Sequence, residues 1–110
     1  MQYIIKGKVI KGDKYGRKIG FPTVNLLSET KEVPPDGVYS GIAILENQKY
    51  QAGIVIGPQS KIEAHLIGYD GDAYGKEVVL EINKFLREYK KFDTEEELIN
   101  QITKDIELCK

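Results

Sequence analysis

The chain has 110 residues, 41% hydrophobic and 30% charged, with a formal net charge of −1; this length fits a single core, so residues 1–110 are expected to form one domain. Interspersed acids and bases exclude a broad basic face for tracking nucleic acid, no apolar run reaches the length of a membrane span, and the start at Met1 lacks the features of a secretion signal. A single cysteine, Cys109, excludes an internal disulfide framework and fits a reducing compartment, so the expectation is a cytoplasmic monomer with no nucleic-acid or membrane partner.

In chain order, a first strand is expected over about residues 2–11. It runs into a basic loop punctuated by Gly12, Gly16 and Gly20 and carrying Arg17 and Lys18. Glycines let the backbone adopt positive φ and approach a ligand, so several N–H groups there could converge on phosphate oxygens. The competing reading of the glycines alone is a surface turn. Pro22 fixes the exit from the loop, and Thr23 and Asn25, two residues apart, share one face if the segment is extended. A hydroxyl and an amide oxygen so placed could complete the shell of a magnesium ion that takes its other oxygens from phosphates and water.

Residues 38–46 and 50–56 read as a hairpin around Asn47, Gln48 and Lys49. Another strand is expected over 61–69, turned by Asp70, Gly71 and Asp72, and another over 78–82 leading to Phe85 and Leu86. On the strand Ile62-Glu63-Ala64-His65-Leu66, the apolar residues take one face and Glu63 and His65 the other. A glutamate ordinarily ionises near pH ~4.3, so Glu63 is available as a proton acceptor, or else is a solvated carboxylate on a sheet face. Thr94 with Glu97 three residues later is a helix capping box, and Leu98, Ile99, Ile102 and Ile106 form one apolar stripe that Phe92 could meet. Cys109 reads as a small apolar residue on the last helical turn. Short strands without interleaved helices point to an antiparallel barrel or sandwich.

Several blocks together carry a family resemblance: Gly7 to Gly12, Gly16-Arg-Lys-Ile-Gly-Phe-Pro-Thr-Val-Asn-Leu26, Pro35-Asp-Gly-Val-Tyr39, Ile62 to Leu66, Asp72 to Glu77, and Phe85-Leu-Arg87 with Phe92-Asp93. The chain resembles the riboflavin kinase (flavokinase) family over nearly its whole length. The resemblance implies a mainly β fold, a closed six-stranded antiparallel Greek-key barrel with one C-terminal α-helix outside. It implies an enzyme that transfers the γ-phosphoryl group of ATP to the terminal ribityl hydroxyl of riboflavin, giving FMN, with magnesium as cofactor and ADP as the other product. Residue by residue it implies Glu63 as the catalytic group, Thr23 and Asn25 as magnesium ligands, and Gly12, Arg17, Lys18, Gly20, Thr23 and His65 at the nucleotide. Asn25, Arg87 and Lys90 would lie at the flavin.

Two departures from the family stand out: only Gly57-Pro-Gln-Ser-Lys61 precedes the glutamate strand, where a longer stretch is usual, and Glu88 replaces a proline after Arg87. The second reading is therefore a non-catalytic flavin- or nucleotide-binding module on the same barrel. Relatives in this family also carry a second domain that adenylylates FMN; none is visible in these residues, so no FAD synthesis is expected.

Overall fold

The structure is a computed structural model that describes residues 3–11, 20–30 and 32–110. Its strands are β1 (Tyr3–Ile10), β2 (Val24–Ser28), β3 (Gly37–Leu45), β4 (Gln48–Gly57), β5 (Lys61–Leu66) and β6 (Glu77–Arg87), followed by helix α1 (Glu95–Cys109). All neighbouring strands are antiparallel, and they close into a barrel in the order β1-β2-β5-β4-β3-β6. β2 and β3 follow one another in the chain but stand on opposite sides of the ring, with β5 and β4 between them one way round and β1 and β6 the other, a Greek-key connectivity.

Alternation builds the core. On β1 the buried positions are Ile5, Gly7 and Val9, every second residue, and Ile62, Ala64 and Leu66 do the same on β5. These meet Leu26, Ala43, Leu45, Ala52, Ile54, Ile56, Val78, Leu80 and Ile82 in one apolar interior. Branched aliphatics suit such a pleated, enclosed surface. The wall is tight where β3 meets β6: a Cβ on Gly41 would run into the carbonyl oxygen of Glu81, beside a register shift between Ser40 and Gly41. Only glycine fits that approach.

The β3–β4 hairpin turns one residue earlier than the sequence suggests. Glu46 and Asn47 occupy the two corner positions at φ 52° and 65°, with Gln48 already paired to Leu45. Two successive left-handed residues match the right-handed twist of the strands, and that geometric demand outweighs the poor intrinsic preference of glutamate for positive φ.

Helix α1 starts as its capping box requires, with Thr94 Oγ1 accepting from the Glu97 N–H at 3.1 Å and three glutamates in the first turn facing the positive end of the helix dipole. It packs on the outer wall of β4, where Ile106 and Cys109 lie over Gly53. Leu98, Ile99, Ile102 and Ile106 are half-buried, whereas the buried positions are Asp105 and Cys109. Burial, and secondarily the charge of Asp105, pushes the Cys109 thiol up to about 11. Phe92 supports two cations, with Arg87 at 5.5 Å and Lys90 at 5.4 Å from its ring centre. Among the described residues, no helix is long and apolar enough to cross a membrane.

Candidate active site

β2 lies beside β5 with Val24 opposite Ala64, Asn25 opposite Glu63, and Leu26 opposite Ile62. Since side chains alternate between faces, Leu26, Ile62 and Ala64 point into the barrel, and Asn25 and Glu63 share the outer wall. Thr23 lies on that same side, and its hydroxyl donates to Glu63 Oε1 at 3.5 Å, across 40 residues of sequence. At that length the hydrogen bond is at its outer limit and holds the hydroxyl loosely. Three oxygen-bearing side chains therefore meet on one strand pair. Asn25 is only 7% exposed, so its amide works in a partly dehydrated setting where each polar contact counts for more.

Thr23 and Asn25 line a cleft of about 760 Å³ whose far wall is Lys11 with the segment Tyr69 to Tyr74. That volume lies within the ~300–1,000 Å³ range of small-molecule sites. The wall is fixed to β1 by two backbone hydrogen bonds, Gly75 N–H to the Val9 carbonyl at 2.9 Å and Val9 N–H to the Lys76 carbonyl at 2.8 Å. Asp72 Oδ1 accepts from the Tyr74 N–H at 2.9 Å, and Lys11 Nζ stands 5.5 Å from the centre of the exposed Tyr74 ring. A second hollow of about 470 Å³ opens on the other side of Asn25, between Leu27 and the short 3-10 turn Pro58–Ser60. Gln59 takes φ 63° in that turn, the backbone device that lets so few residues join β4 to β5.

The remaining residues singled out by sequence divide into three groups. His65 stays beside the cluster, with Nδ1 2.7 Å from the Pro22 carbonyl oxygen and its ring edge-on to Phe21 at 5.9 Å. Gly20 is exposed at φ 91°, a conformation that favours glycine, whereas Gly12, Arg17 and Lys18 fall outside the described residues. Arg87 and Lys90 line neither hollow. The Arg87 guanidinium instead grips Asp105, Nε at 3.1 Å from Oδ1 and Nη2 at 2.9 Å from Oδ2, while Gln101 Nε2 donates to Oδ1 at 3.0 Å. Sequence reasoning had no place for Tyr69 and Tyr74 as cleft walls; the one available signal was that Tyr74 falls in a block shared with the family.

Fold and site together describe a closed barrel whose polar strand pair adjoins a cleft of small-molecule size. The family model for riboflavin kinase, Flavokinase, matches residues 1–110. Similar proteins include a bifunctional riboflavin kinase/FMN adenylyltransferase of Bacillus subtilis, 40% identical over 94% of this chain and 36% of its own length. Another is the RNA-binding riboflavin kinase RibR of the same organism, 34% identical over 94% of this chain and 48% of its own length. Among solved structures, a Streptococcus pneumoniae protein described as a macrolide-efflux protein superposes with a TM-score of 0.93 and 30% identity, covering 96% of this chain and 38% of the other. Riboflavin kinase from Trypanosoma brucei superposes with a TM-score of 0.72 at 18% identity, covering 98% of this chain and 74% of the other, a likeness of fold. The chain belongs to the riboflavin kinase family, a family of phosphotransferases. It spans little more than a third of the first bifunctional relative's length.

Proposed function

We propose that this domain phosphorylates riboflavin, taking the γ-phosphoryl group of ATP with magnesium and releasing FMN and ADP. The observation that carries this reading is the meeting of Thr23, Asn25 and Glu63 on one strand pair, with Thr23 and Asn25 lining the cleft beside it. A binding module needs donors and shape, but it has no use for a carboxylate beside two neutral oxygen ligands.

Phosphoryl transfer asks mainly for in-line placement and charge neutralisation. In this reading Glu63 accepts a hydrogen bond from the terminal ribityl hydroxyl and then its proton, as the new O–P bond forms and the bond from the γ-phosphorus to the bridging oxygen of ADP breaks. Among the described residues no group of three His, Cys, Asp or Glu could hold a metal ion. The donors at hand are a hydroxyl and an amide oxygen, a set that suits magnesium when phosphates and water supply the rest of its shell. Thr23 and Asn25 would hold it, and when bound it supplies charge neutralisation across the phosphates. Asn25, lying between the two hollows, would also touch the flavin's sugar chain. Gly20, with Gly12, Arg17 and Lys18 earlier in the chain, would take the nucleotide phosphates.

The test is incubation of the protein with riboflavin, ATP and magnesium, followed by chromatography. FMN is the expected product. Absence of FMN at high protein concentration, with flavin still bound, would select the non-catalytic module instead.

A further inference from the structure

We infer that His65 acts as a positioning residue, setting the Thr23 hydroxyl against Glu63 by holding the Pro22 carbonyl, and does not itself bind the nucleotide. This rests on the proposed kinase reading for its catalytic consequence, though its geometry stands apart from it.

The β2–β5 ladder has its last backbone pair at Val24 and Ala64. One step further, Thr23 would face His65, but the chain leaves the sheet there. The imidazole continues the ladder in place of the missing backbone pair, with Nδ1 2.7 Å from the Pro22 oxygen. A carbonyl oxygen only accepts, so Nδ1 must carry the proton. The neutral ring is then the Nδ1–H tautomer, and the bond survives protonation of the ring because Nδ1 donates in both states. Phe21, edge-on to the ring, sets its plane.

The need for such a peg is local. Pro22 has no N–H and cannot tie itself to β5, and Thr23 reaches Glu63 through a contact of 3.5 Å that fixes little on its own. His65 is firmly placed from behind: β5 also pairs with β4, where His65 stands opposite Gly53, the glycine covered by Ile106 and Cys109 of α1. The helix, β4, β5 and the imidazole thus form a continuous support for the Pro22–Thr23 peptide.

The experiment compares H65N, H65Q and H65A in the intact protein by steady-state kinetics, melting temperature and the ¹⁵N-detected tautomer of His65. The asparagine amide nitrogen occupies the place of Nδ1, whereas that of glutamine reaches toward Nε2. Displacements on the order of 1 Å cost up to ~100-fold in rate. H65Q and H65A should therefore lose about tenfold or more in kcat with little change in the KM for ATP, and H65N should recover most of it. A rise in the KM for ATP with kcat unchanged, or equal behaviour of H65N and H65Q, would overturn the inference. Should the wild-type protein make no FMN, the kinase reading fails, and the inference is decided by NMR. It then requires an Nδ1–H tautomer in wild type and a Thr23 amide shift that moves in H65Q but not in H65N; an Nε2–H tautomer or an unmoved Thr23 refutes it.

Discussion

Two polar clusters lie on this barrel, and they are bonded in opposite ways. At the junction of β6 and α1, Asp105 is buried and receives Arg87 in a fork, with Gln101 completing the set at 3.0 Å. On β2 and β5, Thr23 meets Glu63 at 3.5 Å beside an open cleft. The first cluster spends its bonding capacity inside the protein. The second keeps oxygens near a space large enough for a ligand. A charged pair closed on itself fixes a helix, whereas oxygens gathered beside a cleft suit work on something that arrives from outside, so the two clusters should fail differently when broken.

The largest separation should come from removing both neutral oxygens. Thr23→Val with Asn25→Leu is expected to lower FMN formation about a thousandfold, several kcal/mol of transition-state stabilisation by metal and dipoles, with an unchanged fold by circular dichroism. A comparable loss of melting temperature would mean that this cluster is structural too. Next, Asp105→Ala strands the Arg87 charge at a half-buried site and should cost about 3 kcal/mol in urea unfolding, with kcat changed only severalfold. Replacing both partners, Arg87→Met with Asp105→Leu, should recover much of that loss, since apolar pairs often match buried ion pairs. If Asp105→Ala instead abolished FMN formation without loss of stability, the division between the clusters would be wrong.

A smaller effect is expected at the helix start, where Thr94→Ala removes the acceptor for the Glu97 N–H and should cost about 1 kcal/mol. Absent at neutral pH, and appearing only in alkali, is a pH effect at its end. The Cys109 thiol, ordinarily ionising at 9.0, is raised to about 11 by burial first and the Asp105 charge second. Below pH 9 folded and unfolded chains both keep the proton and the contribution is complete; between 9 and 11 the unfolded chain loses it first, so stability falls as pH rises. Cys109→Ala should show a shallower decline over that window in pH-dependent melting.

What the sequence disclosed follows the range of the interactions. The capping box at Thr94 and Glu97 is local and was legible outright, as was the alternation that puts Glu63 and His65 on one face of β5. The barrel closure and the pairing of Thr23 and Asn25 with Glu63 were legible only through family resemblance, because strand register joins residues far apart in the chain. The hairpin moved by one residue because twist, not residue preference, selects the corner at Glu46 and Asn47. Asp105 escaped notice because an aspartate on a charged helix reads as exposed until Arg87 is seen beside it. The Pro22 carbonyl held by His65 was illegible for a similar reason, being a backbone atom that leaves no trace in residue type.

The most direct test of the central claim is Glu63→Gln, with riboflavin binding and FMN formation measured on the same sample. Flavin affinity should be kept within a few-fold while turnover falls by about 10²–10⁴, the usual contribution of a positioned proton acceptor. Turnover at the wild-type rate in the glutamine variant would contradict it.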